Sequence, residues 1–216
     1  MRPKHLAMAL SQLKPHPCTN VALEQYATEG DLAAYWMLAV DELDGTTDKV
    51  VADLGAGNGI LGIACLMLGA QHVHFVECDH DVIDVLERNL ASLDPSLRER
   101  CTVHHRAVGQ DELDVATLDL IVMNPPWGVQ IAKADRPFLE AAFGSDAQAI
   151  HVLHSDQATH LSALASERGW ENEAVLRTEF RLPPTYAHHA QRKGTTGVQC
   201  WRFHRPGDAR LPVDED

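Results

Sequence analysis

A chain of 216 residues is long enough for one well-packed domain and too short for two of full size. With 45% hydrophobic and 23% charged residues and no apolar run long enough to cross a bilayer, it has the composition of an ordinary soluble globular protein. A net charge of −13 argues against a protein that coats nucleic acid indiscriminately.

Residues 1 to 22 carry Arg2, Lys4 and Lys14 with no acid. Met1 to Leu10 lacks the continuous apolar stretch and small-residue cleavage site of a secretion signal, so a cytoplasmic protein is expected. Asp31 to Leu43 reads as an amphipathic helix with Asp31 in its first turn, where a carboxylate suits the helix dipole. Then β-rich runs alternate with helical patterns: strand Val50 to Leu54, helix Ile60 to Leu68, strand Val73 to Glu77, helix Asp81 to Leu90. That alternation predicts βαβ units and a parallel sheet covered on both faces. Further strands are predicted at Cys101 to His105, Leu118 to Met123 and Ala149 to Leu153, followed by a helix over Asp156 to Arg168.

Glu173 to Arg181 and Thr196 to Phe203 are strand-like runs around the turn-rich PPTYAHHAQRKG, which predicts a closing antiparallel pair at one sheet edge. Residues 176 to 205 carry Arg177, Arg181, Arg192, Lys193, Arg202 and Arg205 against Glu179 alone, so two basic ends flank an acidic middle. By charge alone this is equally a footprint for phosphates or an unevenly charged solvated surface. After Arg205 the segment PGDARLPVDED has the composition of a frayed terminus. The expected fold is α/β and Rossmann-like: a mostly parallel seven-stranded sheet with an antiparallel edge and a short N-terminal helical extension.

Cys18, Cys65, Cys78, Cys101 and Cys200 are scattered and form no C-x-x-C pair, so they read as reduced, mostly buried thiols. The thirteen histidines show no i, i+4 helical spacing with a carboxylate, so strand-edge and surface histidines are expected and no metal site.

VVADLGAGNGILG places Gly55, Gly57 and Gly59 between a strand and a helix, where the backbone must turn sharply and approach a ligand closely. A dinucleotide loop needs its third glycine at residue 60, which is Ile60, so the G-x-G-x-G spacing disfavours nicotinamide and flavin cofactors. Asp53, just before the first glycine, would repel a pyrophosphate but suits a cationic sulfonium ligand bearing an ammonium group. That favours S-adenosylmethionine. Glu77 ends the next strand, where a carboxylate can accept hydrogen bonds from both ribose hydroxyls.

The strand Leu118 to Met123 runs into Asn124-Pro125-Pro126-Trp127, beyond the carboxyl end of the sheet where ligands bind in this architecture. An aniline-like or amide nitrogen is a poor nucleophile because its lone pair is delocalised. Acceptors aimed at its two N–H groups favour the pyramidal, more nucleophilic form. Asn124 offers a side-chain carbonyl and Pro125 a backbone carbonyl, the prolines limit reorganisation, and Trp127 offers a flat face for a π-system. A proline turn with a buried tryptophan is the bland alternative.

With both motifs in place, the chain resembles the amino-methyltransferases carrying N-P-P-[YFW], most closely the methyltransferase-like protein 5 family of ribosomal RNA adenine N6-methyltransferases. The segments carrying the resemblance are LEQYATEG at Leu23 to Gly30, VVADLGAGNGIL, IVMNPPWG and LPPTYAHHAQRKG at Leu182 to Gly194. It implies a class I methyltransferase in which Gln25 and Thr28 fold over S-adenosylmethionine, alongside Gly55, Asn58, Ile60 and Glu77. It also raises RNA as substrate and a small zinc-binding activator subunit as partner; if the basic ends form the footprint, Arg192, Lys193 and Arg202 are expected on phosphates and Trp127 on the base. Departures are Trp127 where phenylalanine is common, Ala27 where proline is, and Ala107 and Val108 where an acid often lies near the adenine; backbone or a neighbour must then hold that ring. The implied organisation is an extension over residues 1–49, a cofactor-binding domain over 50–205 and a tail over 206–216. A glutamine N5-methyltransferase acting on release factors shares both motifs but carries an extra N-terminal helical domain, for which the residues before Val50 are too few. A catalytically inactive binding module would have no need to keep Asp53, Glu77 and Asn124 to Trp127 together.

Overall fold

The computed structural model describes residues 1–18, 20, 23–24, 27–110, 115, 117–181 and 195–211. In chain order the elements are α1 (Pro3–Leu10), α2 (Gly30–Asp44), β1 (Val50–Leu54), α3 (Ile60–Met67), β2 (His72–Glu77), α4 (His80–Ala91), α5 (Pro95–Arg98) and β3 (Cys101–His105). They continue with β4 (Leu120–Met123), α6 (Arg136–Phe143), β5 (Ala149–Ser155), α7 (His160–Glu167), β6 (Glu171–Arg181) and β7 (Thr195–His204).

The seven strands form one sheet in the order β3-β2-β1-β4-β5-β7-β6, parallel except for β7, which is antiparallel to both neighbours. The expected Rossmann-like sheet with an antiparallel edge is therefore present. Period-2 alternation sends Val51, Phe75, Leu120 and Val122 to one face and Ala52, Leu54, Val76, Ile121 and Met123 to the other. The first face packs under α1, α2, α3 and α4 through Leu6, Trp36, Met37, Ile63 and Leu86; the second packs under α6 and α7 through Leu139, Phe143 and Leu161. No described helix is long and apolar enough to cross a membrane.

Three helices have no counterpart in the sequence reading. Pro3 opens α1, which buries Leu6 and Leu10 against α2 and α3. In α5 the Asp94 side chain accepts from the Ser96 N–H, and in α6 the helix follows Asp135, which does not cap it. Each is four to eight residues long, too short for a periodic signal. Predicted ends also move inward: α7 begins at His160 rather than Asp156 and β4 at Leu120 rather than Leu118.

β1 is paired with β2 on one side and β4 on the other, so chain order reverses between β1 and β4. A crevice opens at the carboxyl ends of the strands at such a reversal. The glycine loop after β1 and the Asn-Pro-Pro-Trp segment after β4 both leave the sheet at that point.

Candidate active site

The loop after β1 turns because Gly55 and Ala56 both donate to the Val76 carbonyl at 2.9 Å. Gly59 precedes α3 with φ +86°, and a Cβ there would lie 2.4 Å from Leu86 Cδ1, so only glycine fits. A Cβ on Gly57 would meet the His16 ring at 2.9 Å, which shows how closely the N-terminal segment covers this loop. The same segment is tied down by Asn58 Nδ2 and Asn89 Nδ2, which donate to the Lys14 carbonyl at 3.0 and 3.1 Å.

Asp53 is buried, and its Oδ2 accepts from the Gly62 N–H at 2.8 Å, joining β1 to the first turn of α3. Burial, reinforced by the nearby Glu77 charge and opposed by that hydrogen bond, pushes its carboxyl up to about 8. A carboxyl raised in this way holds its proton more readily than the free carboxylate of the sequence reading. Glu77, at the end of β2, uses Oε2 to accept from Gly57 (3.0 Å) and Oε1 to accept from Cys78 (2.9 Å) and Asp79 (3.0 Å). Of about four acceptor positions on a carboxylate, one is left, so Glu77 holds the loop as well as facing the crevice.

Asn124 leaves β4 with its Nδ2 donating to Thr28 Oγ1 at 3.1 Å, while its Oδ1 accepts from the Trp127 indole N–H at 3.2 Å. Trp127 is half-buried against the core, and one face lies on the His154 imidazole, with ring centroids 5.9 Å apart. The loop beyond is clasped by Glu24 from the N-terminal segment, whose Oε1 accepts from the N–H groups of Gln130 and Ile131 at 2.5 and 3.1 Å.

These segments enclose a cavity of about 310 Å³, within the range of small-molecule sites. Of the residues singled out from sequence, Thr28, Asp53, Gly55, Gly57, Asn58, Ile60, Glu77, Val108, Asn124 and Pro126 line it. Gly59, Pro125 and Trp127 stand outside that lining, and Gln25, Arg192 and Lys193 lie outside the described residues. Sequence reasoning missed His16, Glu24, Ile131, Pro137 and Phe138, which also line the cavity. The one available signal for the last two was the D-R-P-F-L run that starts α6.

The basic C-terminal end is not all footprint. Arg202 is fully buried and its guanidinium is taken by Asp44 (2.8 and 2.9 Å), Glu173 (2.8 Å) and Asp208 (3.0 Å). Arg205 lies 3.8 Å over the Trp170 ring and donates to the Ser145 and Ala147 carbonyls. Within the expected frayed tail, Arg210 and Leu211 donate backbone N–H groups to Glu173, so the tail's described part is held against β6. Only Cys65 and Cys200 are buried, with Cys18 and Cys101 intermediate and Cys78 exposed. Contrary to the surface expectation, His151, His154 and His204 are buried. Asp135, His154 and His160 bring three candidate ligand atoms within 4.8 Å. However, Asp135 Oδ2 and His160 Nε2 are 2.5 Å apart, a hydrogen-bond separation shorter than the roughly 3.4 Å between two ligands of a tetrahedral zinc ion.

Comparison with known proteins agrees with this fold. Residues 29–158 match the methyltransferase small domain model. The chain is 29% identical to the rRNA N6-adenosine methyltransferase Mettl5 of Drosophila melanogaster over 85% of this chain and 87% of that one. It is 26% identical to the zebrafish (Danio rerio) rRNA N6-adenosine methyltransferase METTL5, with 94% and 99% covered. A solved structure of a candidate RNA methyltransferase from Pyrococcus horikoshii is 33% identical, superposes with a TM-score of 0.83, and is covered over 94% of this chain and 98% of that one.

Proposed function

Since the chain belongs to the methyltransferase small domain family, we propose that it transfers a methyl group from S-adenosylmethionine to the exocyclic N6 amino group of an adenosine in RNA, with ribosomal RNA of the small subunit as the substrate. The observation that carries this reading is the placement of Asn124 and Pro126 on the wall of the same cavity that Gly55, Gly57 and Glu77 line. The residues fit the cofactor. Glu77 keeps one acceptor position for a ribose hydroxyl, Val108 lines the cavity on the side assigned to the adenine, and a cationic ligand would restore the ionised form of Asp53. When bound, S-adenosylmethionine supplies an electrophilic methyl group on a sulfonium.

The chain's own part is to make a planar amino group nucleophilic and to hold it in line. The Asn124 carboxamide oxygen and the Pro125 carbonyl accept the two N–H groups, which favours a pyramidal nitrogen with its lone pair free. No general base is needed beforehand, because the nitrogen's proton becomes acidic once the new N–C bond forms. Preorganisation carries the catalysis: Asn124 is fixed by Thr28 and Trp127 before a substrate arrives. Arg192 and Lys193 serve as phosphate contacts in this proposal, and Gln25 joins Thr28 over the cofactor. Residues 1–49 form the covering extension and 50–205 the catalytic domain. A small zinc-binding activator subunit belongs to the same proposal, and turnover by the chain alone would remove it.

The deciding experiment incubates the protein with labelled S-adenosylmethionine and either small-subunit ribosomal RNA or a peptide release factor. Label in N6-methyladenosine is the expected result. Label in N5-methylglutamine would overturn it.

A further inference from the structure

Resting on that reading, we propose that Trp127 is a positioning residue for Asn124, buttressed by the His154, Asp135 and His160 cluster. An indole nitrogen can only donate, so its bond to Oδ1 at 3.2 Å decides which end of the Asn124 carboxamide is oxygen. Turning the amide over would set NH2 against N–H. The contact with Thr28 Oγ1 imposes no such choice, because a hydroxyl donates and accepts equally well. The oxygen required to receive the substrate's N–H is thus oriented by Trp127. A phenylalanine at this position could stack on a base but could not aim that oxygen.

The indole is itself held from other elements. His154, in β5 and only 2% exposed, covers one indole face at an interplanar angle of 28°. Its Nδ1 accepts from the Ser155 N–H at 2.9 Å, so the ring's proton lies on Nε2. That nitrogen lies 3.3 Å from Asp135 Oδ2, an electrostatic contact rather than a well-aligned hydrogen bond. Asp135, 3% exposed and just before α6, also accepts from Nε2 of His160, the first residue of α7, at 2.5 Å. Burial pushes the Asp135 carboxyl up, but its interactions with His154 and His160 more than offset this, leaving it below the ordinary carboxylate range. An ionised carboxylate therefore fixes His154, His154 backs the indole, and the indole aims the Asn124 oxygen.

The test uses the full chain, ribosomal RNA and labelled S-adenosylmethionine. Trp127→Phe keeps a stacking face and removes the donor; kcat should fall about 10- to 100-fold, with KM for RNA and cofactor affinity changed less than about twofold. If Trp127 acts only as a stacking surface, this variant keeps the wild-type kcat. Asp135→Asn should lower kcat in the same direction, and adding it to Trp127→Phe should cost little more, since both act through one oxygen. A second readout is independent of activity. The Trp127 indole N–H, followed by nitrogen-15 NMR, should exchange slowly in the wild type and faster in Asn124→Ala and Asp135→Asn. A wild-type kcat for Trp127→Phe, or an indole exchange rate indifferent to both other variants, overturns the inference. If the wild type methylates no RNA, the functional reading fails instead, and indole exchange alone decides the positioning.

Discussion

Glu77 is the residue where the structure changes the expected arithmetic. Three of about four carboxylate acceptor positions are filled by the N–H groups of Gly57, Cys78 and Asp79, so one remains for a ligand rather than the two that a bidentate ribose contact implies. Glu77→Ala removes one hydrogen bond to a charged group, about 1.5 to 3 kcal/mol, and should raise the cofactor Kd about 10- to 150-fold. It also strips the partners from three loop N–H groups, so the melting temperature should fall as well. Glu77→Gln is the sharper test. The amide has the same size but only one oxygen, so its NH2 must face either Gly57 or the Cys78 and Asp79 pair, donor against donor. Glutamine should therefore lose nearly as much affinity as alanine. Isothermal titration calorimetry with S-adenosylmethionine measures both variants. A glutamine variant that binds like wild type would show the second oxygen to be immaterial and would take Glu77 out of the proposed site.

Asn124→Ala should leave cofactor affinity nearly intact and lower turnover at least about 100-fold, the scale for losing one preorganised polar contact; near-normal single-turnover rates would refute the acceptor role. Arg202→Ala should cost about 3 to 5 kcal/mol in urea denaturation, because it removes the buried guanidinium that Asp44 and Glu173 share, leaving Asp44 to His151 and Arg210, and Glu173 to the N–H groups of Arg210 and Leu211. Burial pushes the Asp44 carboxyl up, yet His151 and Arg202 hold it well below the usual range. A depressed folded-state pKa adds stability that is present above the unfolded value of about 3.9 and is lost as pH falls towards the folded one. Removing Arg202 raises the Asp44 pKa, so acid unfolding should begin at higher pH; identical acid midpoints would contradict this. An Arg192→Ala/Lys193→Ala variant should bind single-stranded RNA with a slope of log affinity against log salt flatter by about 0.7 per lost phosphate contact, at unchanged cofactor affinity. A wild-type slope would remove Arg192 and Lys193 from the RNA contacts.

The sheet was legible because its signals are local. Val50 to Leu54, Cys101 to His105 and the long pair at the end carry their period-2 or all-apolar patterns within a few residues, and each strand forms where expected. The glycine loop and the Asn-Pro-Pro-Trp segment were legible for the same reason, since each motif's parts are contiguous. What could not be read is pairing across the chain. Arg202 looks like a phosphate ligand in sequence, and nothing near it reveals that Asp44, 158 residues away, takes its guanidinium. Glu24 reaches 106 residues to the Gln130 N–H, and Asn124 reaches 96 back to Thr28.

Charge is where this gap matters most for function. Counting basic residues puts Arg202 and Arg205 in a footprint; the structure places one in a buried ion cluster and the other over Trp170. With those two removed, the electrostatic case for RNA rests on fewer cations, Arg192 and Lys193 among them. The remaining selectivity must then come from the crevice itself. In the proposed function a planar amino group is to be recognised there by acceptors oriented before it arrives, and a net charge of −13 disfavours any polyanion that cannot present such a group. On that proposal, an acceptor pair that must receive both N–H groups would favour a single-stranded or splayed-out adenosine over a paired one, whose N6 amino group is already donating to its partner base.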